Sequence, residues 1–97
     1  MNEQEREAYV EQMKSKLDQW SAEIEELEAK AKIASADAKV KYDEYLSTLK
    51  EKQADASSRL SELRDSSGDA WQDIRDGASH AADALGEALK SAKSKFH

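Results

Sequence analysis

The sequence predicts an all-α protein, arranged as a long helical coiled coil with a shorter C-terminal helix. Apolar residues recur every three or four positions over most of the chain, which is the heptad spacing of helices that wrap around each other. The chain also has no proline, the strongest helix breaker, and no stretch where apolar and polar residues strictly alternate as in a strand. An antiparallel three-helix bundle is the alternative arrangement of the same helices.

The composition fits one small helical domain over residues 1–97. Charged residues make up 37% of the chain and hydrophobic residues 38%, which is typical of long helices. The net charge of −6 disfavours general nucleic-acid binding, because phosphates repel an acidic surface. Cysteine is absent, no stretch is long and apolar enough to cross a membrane, and the charged N-terminus lacks the apolar run of a signal peptide. We therefore expect a cytoplasmic protein.

A heptad helix is predicted over residues 2–64, and a second helix follows it. The first helix begins near Asn2, whose side chain can cap it. Gln53 occupies a seam position, where a polar side chain can set register or oligomeric state. We expect self-association through the apolar seam, which consists of Val10, Met13, Leu17, Trp20, Ile24, Leu27, Leu46, Leu49, Leu60, Leu63, Trp71, Ile74, Leu85 and Leu89.

An alanine-rich stretch near residues 34–37 offers two alternatives for the first helix. The seam continues through this stretch with one additional four-residue step, a stutter that locally unwinds a coiled coil. An unbroken helix is favoured, because neither glycine nor proline marks a turn and alanine is the best helix former. The alternative is a turn at Ser35-Ala36-Asp37, with Ser35 or Asp37 capping a new helix.

Residues 65–69 form a break or kink, followed by an amphipathic helix over residues 70–96. Gly68 can close the preceding helix, and Asp69 with Gln72 resembles a capping box for the next. The apolar phase continues across this break, which favours a kink over a chain reversal, although both remain open. Gly77 and Gly86 each weaken the last helix by ~1 kcal/mol relative to alanine, so this helix needs docking for stability.

No group of residues carries recognisable catalytic or cofactor chemistry. His80 and His97 lack cysteine or nearby histidine partners, so a zinc site is not expected. Ser66 and Ser67 have no nearby histidine to act as a base, and no glycine-rich phosphate loop is present. We therefore predict no enzyme activity, no metal site and no cofactor.

Several short runs of this sequence match a known pattern, and the more distinctive of them contain the two tryptophans and the run that begins at Gly68. The matching runs are Tyr9–Lys14, Leu17–Trp20, Ile24, Leu27–Ala31, and Gly68–Asp73 with Gly77 following. Together they resemble a family of short, poorly characterised bacterial coiled-coil proteins that are often labelled as stress-response proteins. This resemblance implies a bacterial, cytoplasmic, non-catalytic helical protein with a link to stress.

The expected function is that of a non-catalytic structural or protein-interaction protein. A single amphipathic helix cannot bury its apolar stripe alone, so the chain must associate with itself, bind another helical protein or fold back. The alternative function is an amphipathic protein that binds membrane surfaces or protects during stress, since Trp71 and Phe96 stand near the ends of the last helix. That alternative is less favoured, because the polar face of the last helix carries five acids and four bases.

Overall fold

A computed structural model describes residues 2–96 and shows three long helices joined by two short connections. Helix α1 spans Glu3–Lys32, α2 spans Ala36–Asp65 and α3 spans Trp71–Phe96, with a 3₁₀ turn at Gly68–Ala70 before α3. The molecule measures 51 × 19 × 17 Å, and its radius of gyration is 15.5 Å. A helix of 30 residues is about 45 Å long at 1.5 Å per residue, so the helices set the long dimension. The structure confirms the all-α class and has the three-helix arrangement that the sequence left as the alternative.

Side-chain contacts between the helices establish an up-down-up bundle. Residues later in α1 contact residues earlier in α2, so α1 and α2 are antiparallel. Residues later in α1 contact residues later in α3, so α1 and α3 are parallel. The pairs are Ser21–Gln53 and Glu28–Lys50 across α1 and α2, and Tyr9–Ser79 and Glu23–Lys93 across α1 and α3. Each helix therefore packs lengthwise against the other two.

The predicted helix over residues 2–64 is two helices in the structure, because the chain reverses at residues 33–35. Asn2 caps α1 in a capping box, in which its Oδ1 accepts a hydrogen bond of 2.8 Å from the Glu5 backbone N–H. Ser35 has extended backbone angles (φ −63°, ψ 161°), and its Oγ accepts a hydrogen bond from the Ala38 N–H. This serine cap satisfies one of the backbone N–H groups that lack a partner at the start of α2, and folding back buries seams that a lone helix would expose.

The second connection also reverses the chain instead of kinking one helix. Helix α2 ends at a cap formed by Ser66, and Ser67 is extended. Gly68 has a φ of +78°, which is the left-handed conformation that glycine adopts at least cost. Asp69 lies inside the 3₁₀ turn, which runs directly into α3 at Trp71. The apolar phase that continues through this region is thus compatible with a turn.

A single apolar core runs along the bundle axis. No polar or charged residue among those described is buried. Six alanines contribute to the core: Ala31, Ala56, Ala78, Ala81, Ala82 and Ala92. At the end of the bundle near the α1–α2 turn, Phe96 stacks on Tyr42 at a centroid distance of 3.9 Å and meets Tyr45 edge-on. The two tyrosines therefore pack beside the core, as their helical spacing indicates.

Candidate functional site

The seam predicted for self-association is the intrachain core of the bundle. Trp20 and Ile74 are partly buried and pack against that core. All other predicted seam residues are buried: Val10, Met13, Leu17, Ile24, Leu27, Leu46, Leu49, Leu60, Leu63, Trp71, Leu85 and Leu89. The partner that these residues need is therefore supplied by the same chain.

Two seam positions show how the three helices keep their register. Nε2 of Gln53 donates a hydrogen bond of 2.5 Å to Oγ of Ser21, so the polar seam residue links α2 to α1. The indole of Trp20 lies over Gly86 of α3, where a Cβ atom would come within 3.0 Å of the ring. The hydrogen bond fixes the register of α1 against α2, and the contact between Trp20 and Gly86 fixes the register of α1 against α3. The hydrogen bond agrees with a register-setting role for Gln53.

A cluster of two arginines and two aromatic rings joins the start of α1 to the start of α3. The Arg6 guanidinium lies 5.0 Å from the centre of the Trp71 ring, and Trp71 meets the Tyr9 ring edge-on at 5.9 Å. The Arg75 guanidinium lies 5.9 Å from the centre of the Tyr9 ring. The Tyr9 hydroxyl also forms a hydrogen bond with the Ser79 hydroxyl. We call Arg6, Tyr9, Trp71 and Arg75 the Arg–aromatic cluster.

Beside this cluster lies a groove of about 490 Å³, which we call the end groove. The apolar residues at its floor are Val10, Leu63 and Trp71, which belong to the core, and Val10 is the most exposed of them at 9%. The extended segment at Ser66 and Ser67 also lines the groove. The end groove therefore lies where α1 begins and α2 ends, and three separate parts of the chain contribute to it.

Charges of opposite sign line the two walls of the end groove. Glu3, Glu7 and Glu11 recur every four residues and so form one exposed row along α1. Arg64 stands on the α2 side and is exposed. Arg6 also lines the groove, and its Nε is buried without a hydrogen-bond partner. The groove thus has three glutamates on its α1 side, an arginine on its α2 side and apolar core residues at its floor.

The other candidate residues are not brought together into a reactive site. Among residues 2–96 no group of three or more His, Cys, Asp or Glu side chains is placed to hold a metal ion. His80 is exposed on α3, and His97 lies outside the described residues. Ser66 and Ser67 line the end groove, and Ser66 Oγ donates a hydrogen bond to the Leu63 carbonyl oxygen. Ser66 is thereby engaged in ending α2.

Sequence reasoning did not identify Arg6, Arg64, Arg75 or Tyr9 as parts of a site. Arg6 and Trp71 are far apart in the sequence and meet only because α1 and α3 run parallel from the same end. One signal was present at the α1 wall, where glutamates recur every four residues, but that pattern is also ordinary for a solvated helix face.

Comparison with known proteins finds no matching protein family, no matching curated protein and no matching solved structure. The resemblance to short bacterial stress-labelled coiled-coil proteins therefore stays a prediction. None of the helices within residues 2–96 combines the length and the apolar content that crossing a membrane requires.

Proposed function

We propose that this chain is a non-catalytic interaction protein that binds a segment of a partner protein in the end groove. The observation that carries the proposal is the combination of an apolar floor with walls of opposite charge. Arginine, present here as the exposed Arg64, is among the residues most enriched in the energetic centres of protein interfaces. A cytoplasmic location and a link to stress belong to the same proposal and rest on composition and on the family resemblance.

The groove favours a particular kind of partner segment. The volume of the groove accommodates one large apolar side chain, which would lose its hydration above Val10. A basic residue on one flank of that anchor would face the Glu3–Glu7–Glu11 row, and an acidic residue on the other would face Arg64. Charge complementarity of this kind mainly sets orientation and specificity, while the apolar anchor supplies most of the affinity.

A selection of random 12-residue peptides displayed on phage tests this proposal, with affinities of the selected peptides measured by fluorescence anisotropy. Ser67→Phe places a ring at a position that lines the groove and is exposed, with an extended backbone. Its matched control is Ser58→Phe, the same change at an exposed position in α2. Arg64→Glu reverses the basic wall, and Lys90→Glu makes the same charge change on the exposed face of α3.

We expect enriched peptides that contain a large apolar residue flanked by charges. Their affinity should fall about tenfold or more with Ser67→Phe, because a lost apolar anchor is worth roughly 1.5–3 kcal/mol. The two controls should leave affinity within about twofold. Failure to enrich any peptide, or equal affinity for Ser67→Phe and Ser58→Phe, would show that the end groove is not a binding site.

Binding to a lipid surface through α3, the alternative function, would need a different state of the molecule. The apolar side of α3 from Trp71 to Ala92 faces α1 and α2 in the bundle. A lipid surface could reach that side only after the helices separate, at the expense of the core contacts. Vesicles containing anionic lipid should therefore leave the tryptophan emission unchanged under conditions that keep the bundle folded.

A further inference from the structure

The hairpin formed by α1 and α2 projects beyond the end of α3. Phe96, at the end of α3, stacks on Tyr42 of α2 and lines a small cleft with Lys30 of α1. Helix α2 begins at Ala36, which is about 9 Å further along the helix axis than Tyr42 at 1.5 Å per residue. The part of α3 that ends at Phe96 therefore does not cover the end of the hairpin. We call residues 30–41 the hairpin tip.

The large apolar side chains that stay exposed among residues 2–96 both lie in the hairpin tip. Ile33 is 87% exposed where α1 ends, and Val40 is 59% exposed on α2. Val40 points away from the side of α2 that buries Leu46 and Leu49, so the two exposed side chains stand on the outer surface of the hairpin. Single exposed apolar residues are ordinary on protein surfaces, so the surroundings of Ile33 decide whether it has a role.

Those surroundings are strongly basic. The hairpin tip carries four exposed lysines, which are Lys30, Lys32, Lys39 and Lys41. Two positions along a helix correspond to about 200° of rotation, so each pair places one lysine on either side of its helix. None of the four forms an ion pair within residues 2–96, and Asp37 is the only acidic residue of the tip. The lysines therefore surround the tip with uncompensated positive charge.

Helix dipoles account for only half of these lysines. Lys30 and Lys32 lie in the last turn of α1, where a cation offsets the partial negative charge of the helix end. Lys39 and Lys41 lie near the start of α2, where the partial positive charge of the helix end favours acids instead. The positive charge of the hairpin tip thus exceeds what the helix ends require, which favours an anionic ligand.

The hairpin tip can act as a basic surface although the whole chain has a net charge of −6. At physiological ionic strength, charges more than about 8 Å apart are largely screened. A ligand at the tip therefore meets the four lysines and little of the acidic remainder of the bundle, which is 51 Å long. That remainder repels an anionic surface that approaches from the side, so the charge distribution favours contact end-on.

We propose that the hairpin tip binds the surface of a bilayer that contains anionic lipid, with Ile33 inserted among the headgroups and the four lysines against the lipid phosphates. Peripheral proteins bind anionic membranes through this combination of apolar insertion and electrostatic attraction. Nucleic acid offers phosphates to the lysines but no apolar environment to Ile33. The contact leaves the three helices packed, unlike a lipid contact through the apolar side of α3. It also directs the end groove, at the opposite end of the bundle, away from the bilayer.

Co-sedimentation with vesicles tests this proposal, with phosphatidylcholine alone compared with phosphatidylcholine that contains about 30% phosphatidylglycerol. Lys32→Glu with Lys39→Glu reverses two charges at the hairpin tip. Lys14→Glu with Lys16→Glu is the matched control, since it makes the same change in net charge at exposed positions further back along α1. Ile33→Ser removes the apolar side chain of the tip, and Ile33→Leu keeps one. Circular dichroism should show that each variant is as helical as the unsubstituted chain.

We expect binding to the anionic vesicles and not to the neutral ones. The partition coefficient should fall at least about 25-fold with the charge reversal at the tip, because each lysine near an anionic surface contributes roughly fivefold. It should fall about tenfold with Ile33→Ser, which loses the inserted side chain. The Lys14 and Lys16 reversal should leave it within about twofold, because Lys16 lies about 25 Å from Ile33 along α1. Ile33→Leu should also bind within about twofold, since leucine keeps the apolar anchor.

A fluorescent label shows which end of the bundle meets the bilayer. The chain has no cysteine, so Val40→Cys and Ser67→Cys each supply one attachment point for an environment-sensitive dye, at opposite ends of the bundle. Anionic vesicles should raise the emission of the dye at residue 40 and leave the dye at residue 67 unchanged. Tryptophan emission should stay constant, because Trp20 and Trp71 both lie outside the hairpin tip.

Four results would overturn the proposal. They are equal binding to anionic and neutral vesicles, equal losses for the two charge-reversed pairs, undiminished binding of Ile33→Ser, and an equal response of the dyes at residues 40 and 67. Undiminished binding of Ile33→Ser would mean that the lysines hold any polyanion, nucleic acid included, without insertion into lipid.

Discussion

The two glycines inside α3 should respond in opposite ways to substitution by alanine. A Cβ at Gly77 would meet only Nη1 of Arg59, at 3.0 Å, and that atom ends a flexible side chain that is half exposed. A Cβ at Gly86 would meet Cζ2 of Trp20 at 3.0 Å and Cη2 at 3.1 Å, and both atoms belong to a rigid ring. The surroundings of the two positions therefore differ although both lie in the same helix.

The expected magnitudes follow from helix propensity and from overpacking. Replacing glycine by alanine within a helix gains about 1 kcal/mol, so Gly77→Ala should raise the free energy of unfolding by about that amount. At Gly86 the same gain is offset, because the Trp20 ring must retreat to ordinary contact distance and such overpacking costs about 1–3 kcal/mol. Gly86→Ala should thus change stability by between about zero and 2 kcal/mol in the destabilising direction.

Urea unfolding followed by circular dichroism measures both free energies, and a double-mutant cycle isolates the cause. When Trp20→Ala removes the ring, Gly86→Ala should regain its stabilising effect of about 1 kcal/mol. Gly77→Ala should keep the same effect in either background, which makes it the matched control. If Gly86→Ala stabilises the unsubstituted protein as much as Gly77→Ala does, Trp20 does not pack on Gly86 and the placement of α1 against α3 is incorrect.

Three further substitutions test the core, a helix cap and an interhelical ion pair through the same unfolding assay. Leu49→Ala should cost about 2–5 kcal/mol, because Leu49 is fully buried, and a loss below about 1 kcal/mol would contradict its place in the core. In the dilute monomer, Ser35→Ala should cost about 0.5–2 kcal/mol through the lost cap of α2, and an unchanged midpoint would argue against that cap. Lys93→Ala should cost less than about 1 kcal/mol, because the Lys93–Glu23 pair is partly exposed. That small loss should shrink further at 1 M salt, so a loss that grows with salt would contradict the ion pair.

The helical class and the core positions could be predicted from the spacing of apolar residues. Leu17, Ile24 and Leu60 stand three or four residues from their seam neighbours, and all three are buried. The spacing shows that a stripe needs an apolar partner, but it does not show whether that partner is the same chain or another. The sequence could therefore name the buried side chains without deciding between a long coiled coil and a bundle.

The chain reversal at residues 33–35 could not be predicted from the sequence, because local helix propensity favours a continuous helix there and the packing of the helices favours a break. Alanine-rich sequence without glycine or proline favours a continuous helix, and only the serine cap favours a break. Packing of α1 on α2 decides the outcome in the monomer. The end groove was missed for a similar reason, since Arg6, Trp71 and Arg64 come together only after all three helices have docked.

The most direct test of the three-helix arrangement is small-angle X-ray scattering at low concentration, with mass from light scattering on the same sample. The bundle predicts a monomeric mass with a radius of gyration close to the 15.5 Å of the structure. A continuous helix of about 60 residues would be ~90 Å long, which gives a rod with a radius of gyration of ~26 Å. A dimeric mass with that larger radius of gyration, in protein kept dilute throughout, would contradict the three-helix bundle.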